Sequence, residues 1–393
     1  MKQLKYRSAA FLLSNKLDPS AIERVFRSRP MKPSAELNYV NKSNIKLAVV
    51  QMQLRPYRSL SEWISHLQDL VTEAQENGAQ LVSFPEYVGL LPLLISPTFR
   101  ELAEDFFDAL EEKKVDLCRE ILSFFNEQLS ELLFSCYYNT FALLANRSRL
   151  YIHAGSTLLF DHGKLQERCF LFGPDGEAVL EQDKLFLSKT EKALGICPGS
   201  ELELSDIALG RVAILPGADS SYFEPAKIAY QLGAQIVLCP VSPIQQDNEV
   251  AERCGPWMRC QEQALYALVP RFVGNWDHFR FCGKAAIFAP YEATRSSKNG
   301  IVVQCAQNDS EAVLFSRVNL DYLDLPVDLY ASDSNPDFSR QLAAAYSAFP
   351  QPMEHLEPQV QEDEKAESSF FLLTLPNGSV TLIVCTFEPT RGM

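Results

Sequence analysis

The chain has no run approaching the roughly 20 apolar residues that a bilayer-spanning helix needs, so a membrane span is not expected. It is short of basic residues: 36 Lys and Arg stand against 50 Asp and Glu, a net charge of −14. General nucleic-acid binding through a positive face is therefore excluded. The five histidines are scattered, and none of the ten cysteines falls in a Cys-x-x-Cys pair, so no metal centre is expected. There is no Gly-rich phosphate loop and no Gly-x-Ser-x-Gly elbow, which removes common nucleotide-binding and α/β-hydrolase readings. No cofactor is expected. After Lys2, Lys5 and Arg7 the apolar patch Ala9-Ala10-Phe11-Leu12-Leu13 is shorter than a secretory core, and no small-residue cleavage site follows it. It reads as helix, and a cytoplasmic location with reduced thiols is the expectation.

What is present is a strand–helix–strand rhythm. With 393 residues, 47% of them hydrophobic, the chain can bury a large core. Asp18 and Pro19 cap a short helix that ends before Pro30 and Pro33. Ile45 to Met52 is a buried strand. Leu60, Trp63, Ile64, Leu67, Leu70 and Val71 predict a helix over about 59–77, closed by Asn77-Gly78, and Gln80 to Phe84 predicts the next strand. Residues 97–146 form an acidic amphipathic insertion, with apolar Phe99, Leu102, Phe106, Leu110, Leu117, Ile121, Phe124 and Leu129, that two helices of ordinary length fit better than one. Strands are expected at Leu150–Gly155, Cys169–Phe172, Val212–Leu215, Gln235–Cys239, about 271–275 and Lys284–Phe288. Helices are expected at about 224–232 and 256–268.

This pattern gives an α/β layer fold. The domain reading is an N-terminal extension over 1–43, a central domain over 44–325, and a C-terminal extension over 326–393. The last holds an acidic Pro-rich linker and an apolar hairpin turning at Asn377-Gly378.

Several segments together resemble the carbon–nitrogen hydrolase (nitrilase) superfamily, in the family's order, across about 45–323. They are the opening strand from Ile45, the run Asn77 to Phe84-Pro85-Glu86, and the turn at Gly176 leading into Asp183-Lys184-Leu185. Cys197-Pro198-Gly199, Leu209 to Leu215, Gly233 to Pro240, Arg259 to Gln263 and Gly283 to Pro290 complete the likeness. The resemblance implies a four-layer αββα sandwich and a small-molecule amide or related C–N compound as ligand. It also implies homo-oligomers.

The resemblance further implies a catalytic set. In the family a cysteine thiolate attacks an amide or nitrile carbon, a glutamate moves the proton, and a lysine with a backbone N–H stabilises the oxyanion. Here the acid falls on Glu86, the lysine on Lys184 and the N–H on Ala218. Glu191 is a candidate second acid, and Cys239 and Trp257 are candidates for the substrate pocket.

Where the family writes its cysteine, this chain has Pro216-Gly217-Ala218-Asp219. Gly217 lies 33 residues after Lys184, a separation that fits the family. Gly217 also fits a tight turn that needs unusual backbone angles, Cys239 a small buried hydrophobe, and Trp257, Trp276 and His278 ordinary core or pocket-shaping groups. Two functions follow: a carbon–nitrogen hydrolase with impaired or lost cysteine-dependent hydrolysis, or a non-catalytic family member that binds a small molecule or a protein.

Overall fold

Alternation along β1 (Ile45–Gln53) organises the molecule. Ile45, Leu47 and Val49 enter one apolar core while Ala48, Val50 and Met52 enter another, so both faces of the strand are covered. The computed structural model describes residues 9–34, 40–123, 125, 127–242, 253–276, 279–294, 297–324, 336–348, 370–374 and 380–384.

Two sheets stand face to face. The first holds β2 (Leu81–Ser83), β3 (Tyr151–Asp161), β4 (Lys164–Phe172) and β5 (Ala178–Asp183) in sequence on one side of β1. On the other side of β1 lie β10 (Arg271–Trp276) with β11 (Phe279–Phe281), and β14 (Ala312–Val318). β1 runs parallel to β2 and β10 and antiparallel to β14, whose register pairs Ile45 with Val318 and Gln51 with Ala312.

The second sheet runs β13 (Ile301–Gln304), β12 (Ala286–Phe288), β9 (Tyr266–Val269), β8 (Ile236–Leu238), β7 (Gly210–Ile214) and β6 (Leu204–Ile207). Its centre, β7–β8–β9, is parallel. Between the sheets lies a core that includes Leu47, Leu171, Val212, Ile236, Leu268 and Ile287.

Helices cover the two outer faces. On the first sheet α1 (Pro19–Ser28), α2 (Leu60–Glu76) and α5 (Glu127–Ser148) bury Phe26, Trp63, Leu67 and Phe141. The sequence fixes the ends of α2: Ser59 accepts the Glu62 N–H, and Gly78 follows in the left-handed region at φ +75°. On the second sheet α7 (Phe223–Gln231) and α8 (Met258–Glu262) pack around Ala226, Ala229, Cys239 and Cys260. The result is the αββα sandwich that the family resemblance implied.

The insertion departs from expectation by having three helices. After α3 (Pro97–Glu111), Lys113 turns left-handed at φ +56° and starts α4 (Val115–Leu122) before α5. The helix expected over 256–268 is also corrected. α8 ends at Glu262, and Tyr266 to Val269 form β9, a central strand between β8 and β12. A short, wholly buried apolar run has no periodicity that separates strand from helix, and here the sheet claims it.

Residues Met1–Ala331 and Ser332–Met393 form two compact units. In the second, α9 (Pro336–Ala348) is helical, and β15 (Phe370–Thr374) pairs antiparallel with β16 (Val380–Val384). The acidic linker, the Asn377-Gly378 turn and His278 lie outside the described residues.

Candidate active site

Strand ends from both sheets deliver the site. Glu86 lies just beyond β2, where Phe84 and Pro85 lead the chain out of the sheet. The next residue, Tyr87, is left-handed at φ 61°. A non-glycine residue is strained there, on the order of 1–2 kcal/mol. Two hydrogen bonds hold it: its N–H donates to the Ser156 hydroxyl at 2.7 Å, and its phenol donates to Glu191 at 2.9 Å.

Lys184 is the first residue after β5, and its main-chain N–H donates to the Glu167 carbonyl on β4 at 3.0 Å. The following N–H groups, of Leu185 and Phe186, both donate to the Asp219 carboxylate, at 2.9 and 2.6 Å. Asp219 sits in the single 3-10 turn Gly217–Ser220 that follows β7. One buried carboxylate thus joins the Lys184 segment of the first sheet to the Gly217 turn of the second.

The Lys184 ammonium is buried and meets three carboxylates: Glu86 at 2.9 Å, Glu167 at 3.0 Å and Glu191 at 2.5 Å. An ammonium has three N–H donors, so this geometry engages all of them. Glu86 is likewise satisfied, its Oε1 by Lys184 and its Oε2 by the Ser242 N–H at 3.0 Å. Glu191 is held by a capping box with Ser188 at the start of the short helix α6 (Lys189–Ala193).

Burial pushes the Glu86 carboxyl up to about 8, with the negative charges of Glu167 and Glu191 adding to the push and Lys184 opposing it. For Lys184 burial works downward, but the three carboxylates outweigh it and hold the ammonium above the ordinary lysine range. Burial also raises Asp219, to about 7, against the pull of its two backbone donors. Glu191 goes the other way: its burial would raise it, yet Lys184 and Ser188 hold it below the ordinary carboxylate range. Glu86, Glu167 and Glu191 each bring an oxygen within 4.8 Å of the others, close enough to share a cation. The ammonium of Lys184 is the cation this geometry holds among them.

Gly217 faces this cluster. It is left-handed at φ +49°, and its N–H donates to Pro240 at 2.9 Å. A Cβ built on Gly217 would lie 2.5 Å from Lys184 Nζ and closer still to Glu86 Oε1. The side chain that glycine lacks would therefore point at the contact between acid and ammonium.

The carbon-nitrogen hydrolase family model matches residues 46–323, which takes in both sheets and this cluster. The chain belongs to that family. Among curated proteins it is 24% identical over 284 residues to the probable hydrolase YhcX of Bacillus subtilis (strain 168), covering 71% of this chain and 50% of that one. It is 26% identical over 206 residues to the omega-amidase NIT2 of Bos taurus, covering 50% of this chain and 63% of the relative. The chain thus spans about half to two thirds of the length of these relatives. A cysteine-to-serine mutant of the Nesterenkonia AN1 amidase, from the nitrilase superfamily, superposes with a TM-score of 0.56 at 18% identity, covering 76% of this chain and 98% of the amidase. At that identity the likeness establishes the carbon-nitrogen hydrolase fold.

Within this family member the structure brings Glu86, Lys184, Glu191 and Gly217 together. Ala218 follows Gly217, and its carbonyl accepts the N–H groups of Ser221 and Tyr222. Cys239 is buried in the outer core of the second sheet, among Leu215, Ala229 and Cys260. The Trp257 indole donates to the Asn299 carbonyl at 2.8 Å beside that same core. Trp276 is buried in the helix-side core of the first sheet.

Glu167, Ser156 and Ser242 escaped the sequence reading. Ser242 contributes chiefly a main-chain N–H, which carries no residue signature. Glu167 left one signal, an acid in phase with Leu165, Cys169 and Leu171, all buried along β4. Its neighbours Gln166 and Arg168 make it read instead as part of a solvated edge.

Proposed function

We propose that this family member binds a small amide or related C–N compound and has lost thiol-dependent hydrolysis. In this reading Glu86, Lys184 and Gly217 occupy the base, oxyanion-stabilising and nucleophile positions. The Ala218 N–H and Glu191 complete the surroundings of the ligand, and Trp257 belongs to the wall. The observation that carries the reading is the direction of the missing Gly217 side chain, toward Glu86 and Lys184 together.

Hydrolysis in this family needs a bond from an attacking sulfur to the amide carbon, and glycine offers no atom for it. Water would have to attack in a single, harder step with Glu86 as its base. Both Glu86 oxygens already accept hydrogen bonds, and no Lys184 donor is left for an oxyanion. Binding without turnover has support in a neighbour: the Nesterenkonia amidase binds butyramide with its cysteine replaced by alanine.

Purified full-length protein should release no ammonia from butyramide while calorimetry detects binding of that amide. Release that disappears in Glu86→Gln would overturn the proposal, and absence of binding would remove its ligand half. A homo-oligomeric, cytoplasmic protein completes the reading. The exposed apolar residues at the start and along α7 motivate the first part.

A further inference from the structure

We infer that Glu167 is a positioning residue that keeps Lys184 from serving as an oxyanion donor, a second block on hydrolysis independent of the missing thiol. The inference rests on the reading of Gly217 as the nucleophile position. It adds a residue that neither the family resemblance nor the comparisons mark.

Glu167 reaches both halves of the site. Its side chain is fully buried, and its Oε2 accepts from Lys184 Nζ at 3.0 Å. Its Oε1 accepts from the Ser156 hydroxyl at 2.7 Å, and Ser156 in turn receives the Tyr87 N–H at 2.7 Å. Tyr87 directly follows Glu86. The Glu167 main-chain carbonyl also accepts the Lys184 N–H at 3.0 Å. One residue therefore holds Lys184 twice, its backbone through the Glu167 main-chain carbonyl and its ammonium through the carboxylate. That carboxylate also reaches, through Ser156, the turn that presents Glu86.

The count of donors gives this network a consequence. With Glu86 and Glu191 as its only partners, the ammonium would have one N–H to offer a developing oxyanion. Glu167 takes that third proton in a buried setting, where a charge-assisted bond is strong and its loss is costly. A thiol supplied at position 217 would then face an amine with nothing left to donate. Glu167→Gln keeps the shape but has one carbonyl oxygen where the carboxylate has two. With that oxygen still accepting from Ser156, the amide turns its NH2 toward Lys184 and the third ammonium proton is released.

The experiment compares ammonia release from butyramide by full-length G217C and by G217C/E167Q. The double variant should be at least about tenfold faster, since one oxyanion donor is commonly worth that much or more. Equal rates, including no release from either, overturn the inference. Release by the natural protein that depends on Glu86 would instead overturn the lost-nucleophile reading, so the two failures are distinguishable.

A second measurement uses E167Q alone and follows the Glu86 side-chain carboxyl by 13C NMR. The groups around Glu86 are Lys184, Glu167, Glu191, Tyr87 and, through the Lys184 segment, Asp219. Removing one negative neighbour should lower the Glu86 titration by about one pH unit or more. A purely structural role would reduce the melting temperature and leave that titration in place, and an unmoved titration overturns the inference as well.

Discussion

Ser242 holds Glu86 at both ends: its N–H donates to the Glu86 carboxylate at 3.0 Å and its hydroxyl donates to the Glu86 carbonyl at 3.1 Å. Glu86 follows a strand of the first sheet, and Ser242 follows β8 of the second. The pair is thus one of the links that fix the distance between the two sheets at the site. With Asp219 bridging in the opposite direction, the cluster is clamped from both layers. Such a preorganised arrangement leaves little freedom for an acid and an amine to part.

Gly217→Ala should therefore be destabilising. The substitution forces a Cβ into the Glu86–Lys184 contact and places a non-glycine residue at φ +49°. Backbone strain of about 1–2 kcal/mol and overpacking of about 1–3 kcal/mol give an expected loss of about 3 kcal/mol. Urea unfolding of the variant against the natural protein measures it. A loss below about 1 kcal/mol would mean that the pair separates easily and that the site has room in hand.

Stability should fall as pH rises from about 5 to 8. Glu86 is raised from 4.5 to about 8 and Asp219 from 3.8 to about 7. Between those limits the folded chain holds protons that the unfolded chain has released, so the native state binds more protons and the slope is negative. Buried His153, lowered from 6.5 to about 3, offsets part of the decline below about pH 6.5, so the fall is steepest from there to 8. Glu191 and Glu311, both lowered, lose their contribution only as pH falls below the ordinary carboxylate range. Urea midpoints taken across pH 5 to 8.5 should decline, and Glu86→Gln should flatten that decline. A midpoint that climbs toward pH 8 would contradict the burial effect on Glu86.

Glu86 and Lys184 came from the family resemblance, in the contexts Phe84-Pro85-Glu86 and Asp183-Lys184-Leu185, and the structure brings these two strand-end side chains into contact. The layers were legible because β1 carries apolar residues on both faces, which only a sheet covered on both sides needs. β6, β11, β13 and β14 went unread, and β9 was read as helix. Ile301–Gln304 is only half-buried along its length, and β14 sets buried Val313 and Val318 against exposed Phe315 and Arg317 without a strong turn signal. The third carboxylate on Lys184 was hidden by polar neighbours. Its burial depends on the turn of β2 and the helix α6, which come together only in three dimensions.

Asp219→Asn should loosen the Lys184 segment without removing a catalytic-type group. The carboxylate accepts two main-chain N–H groups, one on each oxygen. An amide offers one oxygen, so either Leu185 or Phe186 loses its acceptor in a buried setting. The expected cost is about 1–3 kcal/mol. Hydrogen exchange should show one of those two amides exchanging faster, with β5 itself unchanged. Unaltered protection at both positions would mean that water or another acceptor replaces the lost oxygen.

Self-association is the remaining expectation, and α7 is where it can be tested. Tyr222, Phe223, Ile228 and Leu232 are each 42–47% exposed, while Ala226 and Ala229 on the same helix are fully buried. Tyr222 stacks on Phe186 and Phe223 faces Arg259, but the helix satisfies its core with alanines, and clustered exposure of large apolar groups on its outside marks association surfaces. Light scattering on the full chain should give a dimer or larger species. Ile228→Asp should shift it toward monomer, with the monomer's own stability changed by no more than about 0.5 kcal/mol because the site is on the surface. A monomer at every concentration, or a variant with unchanged mass, would leave this apolar face without a partner of its own kind.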